Sequence, residues 1–289
     1  MPRAGIIYEA DTAAEHNAIL KLMMIIGAGR YFTTSEFNPD LQDTYDFYFI
    51  GGPVRDNVLD DRITQFVSAH REWLSSKRVA LFAFCPPGAG GQESLDAPAA
   101  LLKDAVVARE AIRVAPEQLD LVELAGIGLR IKALKDDGYV KLPPEEVLSH
   151  VEAFLNSHKY CTLCTAYNGR VRGTTVTYNY HDGHIYILCE GSTKFANLIL
   201  NDNVCIALHA HYKGGRLPAG IQLTGKITIL DPDSNGYRRL MEIKGGDYSR
   251  LTSLPWILWG LDVKLDRAEF WWSQWTEMGF GPKQEYYFT

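Results

Sequence analysis

The sequence predicts a chain of two parts, an α/β unit on a parallel sheet over residues 1–140 and a small antiparallel β-barrel over residues 141–289. Three observations predict it. At 289 residues the chain is long for one core and comfortable for two. The first half alternates short apolar runs with amphipathic stretches, as buried parallel strands and their covering helices do. The second half carries short alternating segments broken by turn residues, as antiparallel strands do.

Taken in order, Ala4–Ala10 is a short apolar run. A helix-like stretch from Thr12 to about Gly27 follows, with Ile19, Leu22, Met23 and Ile26 on one face. Asp46–Pro53 reads as a buried strand stopped by Gly51-Gly52-Pro53. The next helix spans Leu59–Leu74, its stripe made of Ile63, Phe66, Val67 and Trp73 or Leu74. A second buried strand, Arg78–Gly88, stops at Pro86-Pro87, and a helix from Ala97 to about Arg109 leads to the apolar segment Leu119–Gly126. Ile127–Pro144 changes character: a basic cluster, then Asp136-Asp137-Gly138, then two prolines, which reads as a connector with the boundary near Val140. Pro144, Glu145 and Glu146 suit the first turn of a helix running to Ser157. Strands are then expected at Tyr160–Tyr167, Arg172–Tyr180, His184–Cys189, Val204–His211, Ile221–Leu230, Leu261–Trp272 and Gln284–Phe288. Asp182-Gly183 between two of them is a type I′ hairpin signal.

Composition bounds the function. Apolar residues make up 46% and charged residues 22%, ordinary globular proportions. A formal charge of −6 supplies no basic field, so nucleic acid is not expected as a partner. No apolar run reaches a membrane span, and the N-terminal run is too short for a signal segment, so a soluble, cytoplasmic protein is expected. Five cysteines are too few and too scattered for a disulfide framework. Cys161 and Cys164 have redox-motif spacing, but residues three apart on a strand point to opposite faces, and no second pair completes a zinc site. Two partly buried strand thiols is the favoured reading.

The segments IIYEADT, YDFYFIGGPVRDN and SSKRVALFAFC resemble a flavodoxin-like domain over about residues 4–126, in the branch related to menaquinone-dependent protoporphyrinogen oxidase. In a flavodoxin the first strand–helix loop holds the flavin phosphate with hydroxyls, a glycine and helix N-terminal amides. Here that loop, Glu9–Glu15, has one hydroxyl, no glycine and three carboxylates. Their repulsion of a dianion opposes the helix dipole, so a degenerate domain without its own flavin is expected.

The informative segment is Asn168–Leu208. Gly191-Ser192-Thr193-Lys194 joins a strand to a helix expected from about Thr193 to Asn201. Ser192 and Thr193 are good N-cap residues whose hydroxyls and amides would face an anion. Lys194 in the first turn opposes the helix dipole but suits a bound phosphate. Arg172 begins the preceding strand, which a hairpin would lay beside His184–Cys189, within reach of the same anion. Alternate hydroxyls of Thr174-Thr175-Val176-Thr177 line one face. On these residues alone, an ordinary cap and a solvated lysine is the simpler reading.

Considered whole, the strand pair around the Asp-Gly hairpin, EGSTKFANL, NDNVCIAL, GIQLTGKITIL and AEFWW resemble the pyridoxamine-5′-phosphate oxidase-like family of FMN-binding split β-barrels, from about Val147 onward. The resemblance implies that Arg172, Ser192, Thr193 and Lys194 hold the FMN phosphate. It implies that Thr174, Thr175 and Val176 meet the isoalloxazine, largely through backbone, and that Gln222 makes a polar contact. It further implies a homodimer with FMN at the interface, where one of Trp271, Trp272 or Trp275 reaches the partner's flavin. The family's arginine–histidine–arginine substrate pattern is missing after AEFWW, so pyridoxine phosphate is not the expected substrate.

The function expected is an FMN-dependent oxidoreductase taking electrons from a donor such as NAD(P)H to a small organic acceptor. The alternatives are a non-catalytic flavin or heme carrier or sensor, or a heme-binding or heme-degrading protein, since relatives of this barrel also bind heme or F420. His209 and His211, two apart on an expected strand, would share a face for a metal or heme, but lack an obvious third ligand. His181 and His184 read as hairpin-end residues, and Tyr248, Trp256 and Trp259 as core packing.

Overall fold

The computed structural model describes residues 2–86, 91–115, 118–211 and 218–289. The chain divides into two compact units, Met1–Tyr139 and Val140–Thr289.

In the first unit the chain runs β1 (Ala4–Tyr8), α1 (Ala13–Ile26), β2 (Gly29–Thr33), β3 (Phe47–Arg55), β4 (Val58–Leu59), α2 (Asp61–Ala69), α3 (Arg71–Leu74) and β5 (Arg78–Cys85). It continues through α4 (Asp96–Leu102), β6 (Val106–Ala115), β7 (Gln118–Leu119) and α5 (Leu121–Asp136). The parallel strands lie in the order β2-β1-β3-β5-β6, the 2-1-3-4-5 arrangement of doubly wound folds of the flavodoxin type. Alternation along the strands sends Ile7, Ile50, Leu81 and Ala83 to one face, under Ile63 and Val67 of α2 and Leu102 of α4. Ile6, Phe49, Phe82 and Phe84 go to the other, under Ile19 and Leu22 of α1 and Ile127 and Ile131 of α5. Two buried faces explain why these strands read as unbroken apolar runs.

Four local expectations change. Gly51, Gly52 and Pro53 do not stop β3; they pair with Phe82–Phe84. A Cβ on Gly51 would lie 1.9 Å from the Phe82 carbonyl oxygen, so the glycine serves close strand approach rather than a turn. The helix expected to reach Arg109 ends at Leu102, because Val106–Ala115 is an outer strand of the parallel set carrying surface charges such as Arg109 and Arg113. The sequence reading also missed β2 after the Gly27 cap. The expected connector at Ile127–Pro144 is mostly α5. Gly126 and Gly128 lower its helix propensity by about 1 kcal/mol each, which masks the apolar stripe. Gly128 is there for packing: a Cβ would sit 2.9 Å from the Ile25 side chain of α1. Lys135, read as part of a basic cluster, is buried and donates to the Ile26 carbonyl of α1 at 2.6 Å. Pro87 and Gly88, at the expected end of the strand that is now β5, lie outside the described residues.

The second unit runs α6 (Pro144–Ser157), β8 (Tyr160–Tyr167), β9 (Arg170–Thr177), β10 (Asn179–His181), β11 (His184–Glu190), α7 (Phe195–Leu198) and β12 (Asn203–His209). It ends with β13 (Ala219–Leu230), α8 (Asn235–Lys244), α9 (Tyr248–Thr252), β14 (Leu258–Trp272), α10 (Gln274–Glu277) and β15 (Lys283–Tyr287). The antiparallel sheet has the order β10-β11-β14-β13-β12-β8-β9, with β15 paired to β14. It curls so that β9 approaches β11 without a hydrogen-bonded ladder between them, which is the opening of a split barrel. Leu163, Ile185, Ile187, Ile206, Leu223, Leu261 and Val263 fill its core, which α6 covers with Val147, Val151 and Leu155.

Candidate functional site

The expected strand Arg172–Tyr180 is two strands. Among the described residues β9 pairs only with β8, while the short β10 makes the Asp182-Gly183 hairpin with β11. The hairpin therefore does not lay Arg172 beside β11; the curl of the sheet brings β9 near it instead. As an edge strand, β9 has backbone amides and carbonyls that no ladder satisfies.

The turn between β11 and α7 departs from the expected cap. α7 is a single turn, Phe195–Leu198, and neither hydroxyl of Ser192 or Thr193 caps it; Ser192 accepts the Phe195 amide through its backbone carbonyl, at 3.0 Å. Ser192 and Thr193 are exposed. Lys194 is no solvated surface charge, being only 3% exposed. Its Nζ donates to the Glu190 carbonyl and to Ser192 Oγ, each at 3.0 Å, and lies 4.9 Å from the Phe195 ring centre. Burial pushes the neighbouring Cys189 thiol up, and the Lys194 ammonium pulls it part of the way back. A buried cation held by neutral acceptors lacks a formal counter-charge within those hydrogen bonds.

Two arginines on β9 divide the work. Arg170, which sequence reasoning missed, donates from Nε to Asn197 Oδ1 at 2.6 Å and from a terminal nitrogen to the Ala196 carbonyl at 2.7 Å. Asn197 is buried and donates to Thr165 Oγ1 at 3.1 Å, so the β8–β9 hairpin is bolted to α7. An arginine two residues from Arg172 was the available signal, since the two share a face. Arg172 sits opposite Thr165, on the α7 side, with an exposed side chain; among the described residues it makes no hydrogen bond or ion pair to Ser192, Thr193 or Lys194.

Thr174 and Val176 follow on that same inner face, opposite Leu163 and Cys161. Thr174 Oγ1 is buried without a hydrogen-bond partner among the described residues. Thr175 and Thr177 point out on the other face, both exposed. Gln222 is exposed on that outer face too, in a cross-strand row Thr175–Thr162–Ala207–Gln222. Three strand spacings of about 4.8 Å put it roughly 14 Å from Thr175. One chain thus gathers Lys194, Ser192 and Thr193 in the turn and Arg172, Thr174 and Val176 on the inner face of β9, and leaves Thr175 and Gln222 on the opposite face.

The aromatic residues resolve separately. Trp275 is fully buried against Phe270 and His150, so it cannot reach a partner's ligand. Trp272 stacks parallel to Phe270, and Trp271 is opposite Gly220 and Lys283. Trp259, expected as core, borders the turn: it lies 6.2 Å from the Phe195 ring, and its indole nitrogen faces Gly191. Tyr248 packs on Tyr237, while Trp256 is exposed rather than core. β12 stops at His209, so His209 and His211 do not share a strand face. His209 Nδ1 lies 3.1 Å from the Ala210 carbonyl, and among the described residues no group of three metal-ligating side chains converges. His181 and His184 do flank the hairpin, with His184 Nδ1 2.7 Å from Asp262. A cleft of about 130 Å³ at that hairpin, lined by Tyr180, Glu152, Lys264 and Phe288, holds none of the anticipated site residues.

The corresponding turn of the first unit is closed by its own side chains. Glu15 Oε2 accepts the amides of Asp11 and Thr12 at 2.7 and 2.9 Å, and Thr12 Oγ1 accepts the Glu15 amide, a capping box. Glu9 is buried, accepting from Thr34 N and Oγ1 and pairing with Arg62 at 2.7 Å. Asp11 pairs with Arg55 and Arg62. The carboxylates are thus not a bare repulsive cluster; they are neutralised or turned inward, and the amides of Asp11, Thr12 and Glu15 are already taken.

Residues 147–254 match the family model described as pyridoxamine 5′-phosphate oxidase. No curated protein matches the chain. Similar solved structures include a FAD-binding protein from Mesorhizobium loti, 17% identical, covering 45% of this chain and 95% of that one with a TM-score of 0.34. A protein of the pyridoxinephosphate oxidase family from Clostridium acetobutylicum is 19% identical, covering 44% and 89%, with a TM-score of 0.33. A heme binding protein from Mycobacterium smegmatis is 15% identical, covering 51% and 60%, with a TM-score of 0.38. Likeness at this level speaks to neither ligand nor activity. Among the described residues, no helix is long and apolar enough to cross a membrane.

Proposed function

We propose that the second unit binds FMN and that the protein is an FMN-dependent oxidoreductase, passing electrons from a reduced donor such as NAD(P)H to a small organic acceptor. The observation that carries this is the buried, unpartnered hydroxyl of Thr174 on an edge strand with unpaired backbone, a combination suited to a heterocycle with polar edges. Lys194, with Ser192, Thr193 and Arg172, would hold the phosphate. Thr174, Thr175 and Val176 would meet the ring, largely through backbone, and Gln222 would enter from a second copy, because one chain separates it from the turn. Bound FMN supplies the hydride and electron chemistry; the protein binds it, orients it and excludes water. In this reading the protein is a cytoplasmic homodimer, and the first unit is kin to flavodoxins and without flavin of its own.

Purified protein is expected to be yellow, to release one FMN per chain on denaturation and to bleach with NAD(P)H. Lys194→Ala combined with Arg172→Ala should lose the flavin; unchanged FMN content would overturn the site. Flavin that resists every reductant would remove the enzyme reading, and two FMN per chain would remove the reading of the first unit. A Soret band on adding hemin to flavin-free protein, lost in His209→Ala, would favour a heme role instead.

A further inference from the structure

All five cysteines are free thiols. The two that stand closest in sequence are not the two that stand together. Cys161 is buried in the barrel core, where burial pushes its thiol up to about 12, whereas Cys164 faces the outer side of β8 and is half-buried. Cys164 is instead directly opposite Cys205 in the antiparallel pairing of β8 with β12. On β12, Val204, Ile206 and Leu208 take the core face, which puts Cys205 on the outer one, also half-buried.

Directly opposed residues of an antiparallel pair have Cα atoms about 4.5 or 5.5 Å apart. A disulfide spans Cα separations of about 4.4–6.8 Å, so the Cα spacing of this register admits one. The surroundings leave room for it. The next residue across from Cys164 is Gly173 on β9, and the next across from Cys205 is Thr224 on β13. Burial and then the charge of Cys164 push the Cys205 thiol up; the same charge also raises Cys161, so the strand register is what singles out Cys205. Cys85 belongs to the first unit, and Cys189 sits beside Lys194.

We propose that Cys164 and Cys205 are a redox site, a dithiol that closes reversibly into a cross-strand disulfide between β8 and β12. The oxidant is a low-molecular-weight organic disulfide. One protein thiolate attacks it and expels a small thiol, and the second protein thiolate then displaces the other. The protein loses two electrons and two protons, and the organic disulfide becomes two thiols. The ring so closed contains β9, β10, β11, the Ser192–Lys194 turn and α7, so oxidation tethers both ends of the segment that carries the candidate site. The proposal does not depend on flavin binding.

The test equilibrates the full chain with excess oxidised glutathione, alkylates the remaining thiols, and maps peptides without reduction. Alkylation at Cys164 and Cys205 is expected to be lost together, with one linked peptide pair that dithiothreitol dissolves. Cys164→Ser should leave Cys205 alkylatable or carrying glutathione, and Cys205→Ser should do the same for Cys164. Full alkylation of both positions in the wild-type chain, separate glutathione adducts on each, or a link to Cys161 or to a second chain would overturn it. The wild-type map decides the matter even if a variant does not fold.

Discussion

Two strand-to-helix turns, Glu9–Glu15 in the first unit and Glu190–Phe195 in the second, occupy places where a helix begins beside a strand end. The first is filled by its own chain. Glu15 takes two of the amides that an anion would use, and Glu9 is buried against Arg62 and Thr34. The second presents exposed Ser192 and Thr193 beside a buried ammonium whose hydrogen bonds go to neutral acceptors. A helix start alone thus says little about anion binding. What matters is whether the chain's own carboxylates have satisfied its amides, and whether a positive charge is held without a neutralising partner.

The comparison breaks most directly at Lys194. Lys194→Ala should weaken FMN binding by about 2–3 kcal/mol, roughly 30–150-fold, the range for a charge-assisted contact. Fluorescence titration of flavin-free protein with FMN measures it, and an unchanged Kd would put the two turns on an equal footing. Asn197→Leu comes next. It strips Arg170 and Thr165 of their partner and should cost about 1–3 kcal/mol of stability, read from the urea midpoint. An unmoved midpoint would mean that α7 is not pinned by this hairpin.

Thr12→Ala should cost about 1 kcal/mol through loss of the cap, with FMN stoichiometry unaltered. A gain of flavin in that variant would show that the first turn is merely blocked. The smallest effect is in acid. Hydrogen bonding from Arg62 holds the Asp60 carboxyl below the usual carboxylate range. Its folded value lies under the unfolded one, so its contribution is complete above about pH 4 and is lost as pH falls through the folded value. Arg62→Met removes the hydrogen bonds that lower the Asp60 carboxyl and should therefore reduce the drop in stability below pH 4. Thermal melts across pH 2–7 distinguish this from a flat response.

Legibility followed burial. Runs such as Phe47–Ile50 and Val79–Cys85 are apolar on both faces and announce themselves, and the alternation in Tyr160–Tyr167 and Ile221–Leu230 fits one buried face. The outer strand β6 and the helix α5 were hidden for opposite reasons. β6 carries charge where it meets water, and α5 contains a glycine, Gly128, demanded by a neighbour, Ile25, that local pattern cannot see. In the candidate site, Lys194 was legible as a cation in a turn, but its burial was not. Arg170 was passed over because only the β8–β9 pairing shows it reaching α7.

The sequence by itself determined the two fold classes and the expected fold boundary, because hydrophobic period and turn chemistry are local properties of the chain. It also placed Thr174, Thr175, Lys194 and their neighbours on a strand and a turn. Only the tertiary structure decided which residues meet. It ran β9 along the sheet edge beside β8, set Cys164 opposite Cys205 rather than with Cys161, and folded Glu15 back over its own amides. Those outcomes depend on strand order and register, which are set by packing the whole core and cannot be read from any one segment.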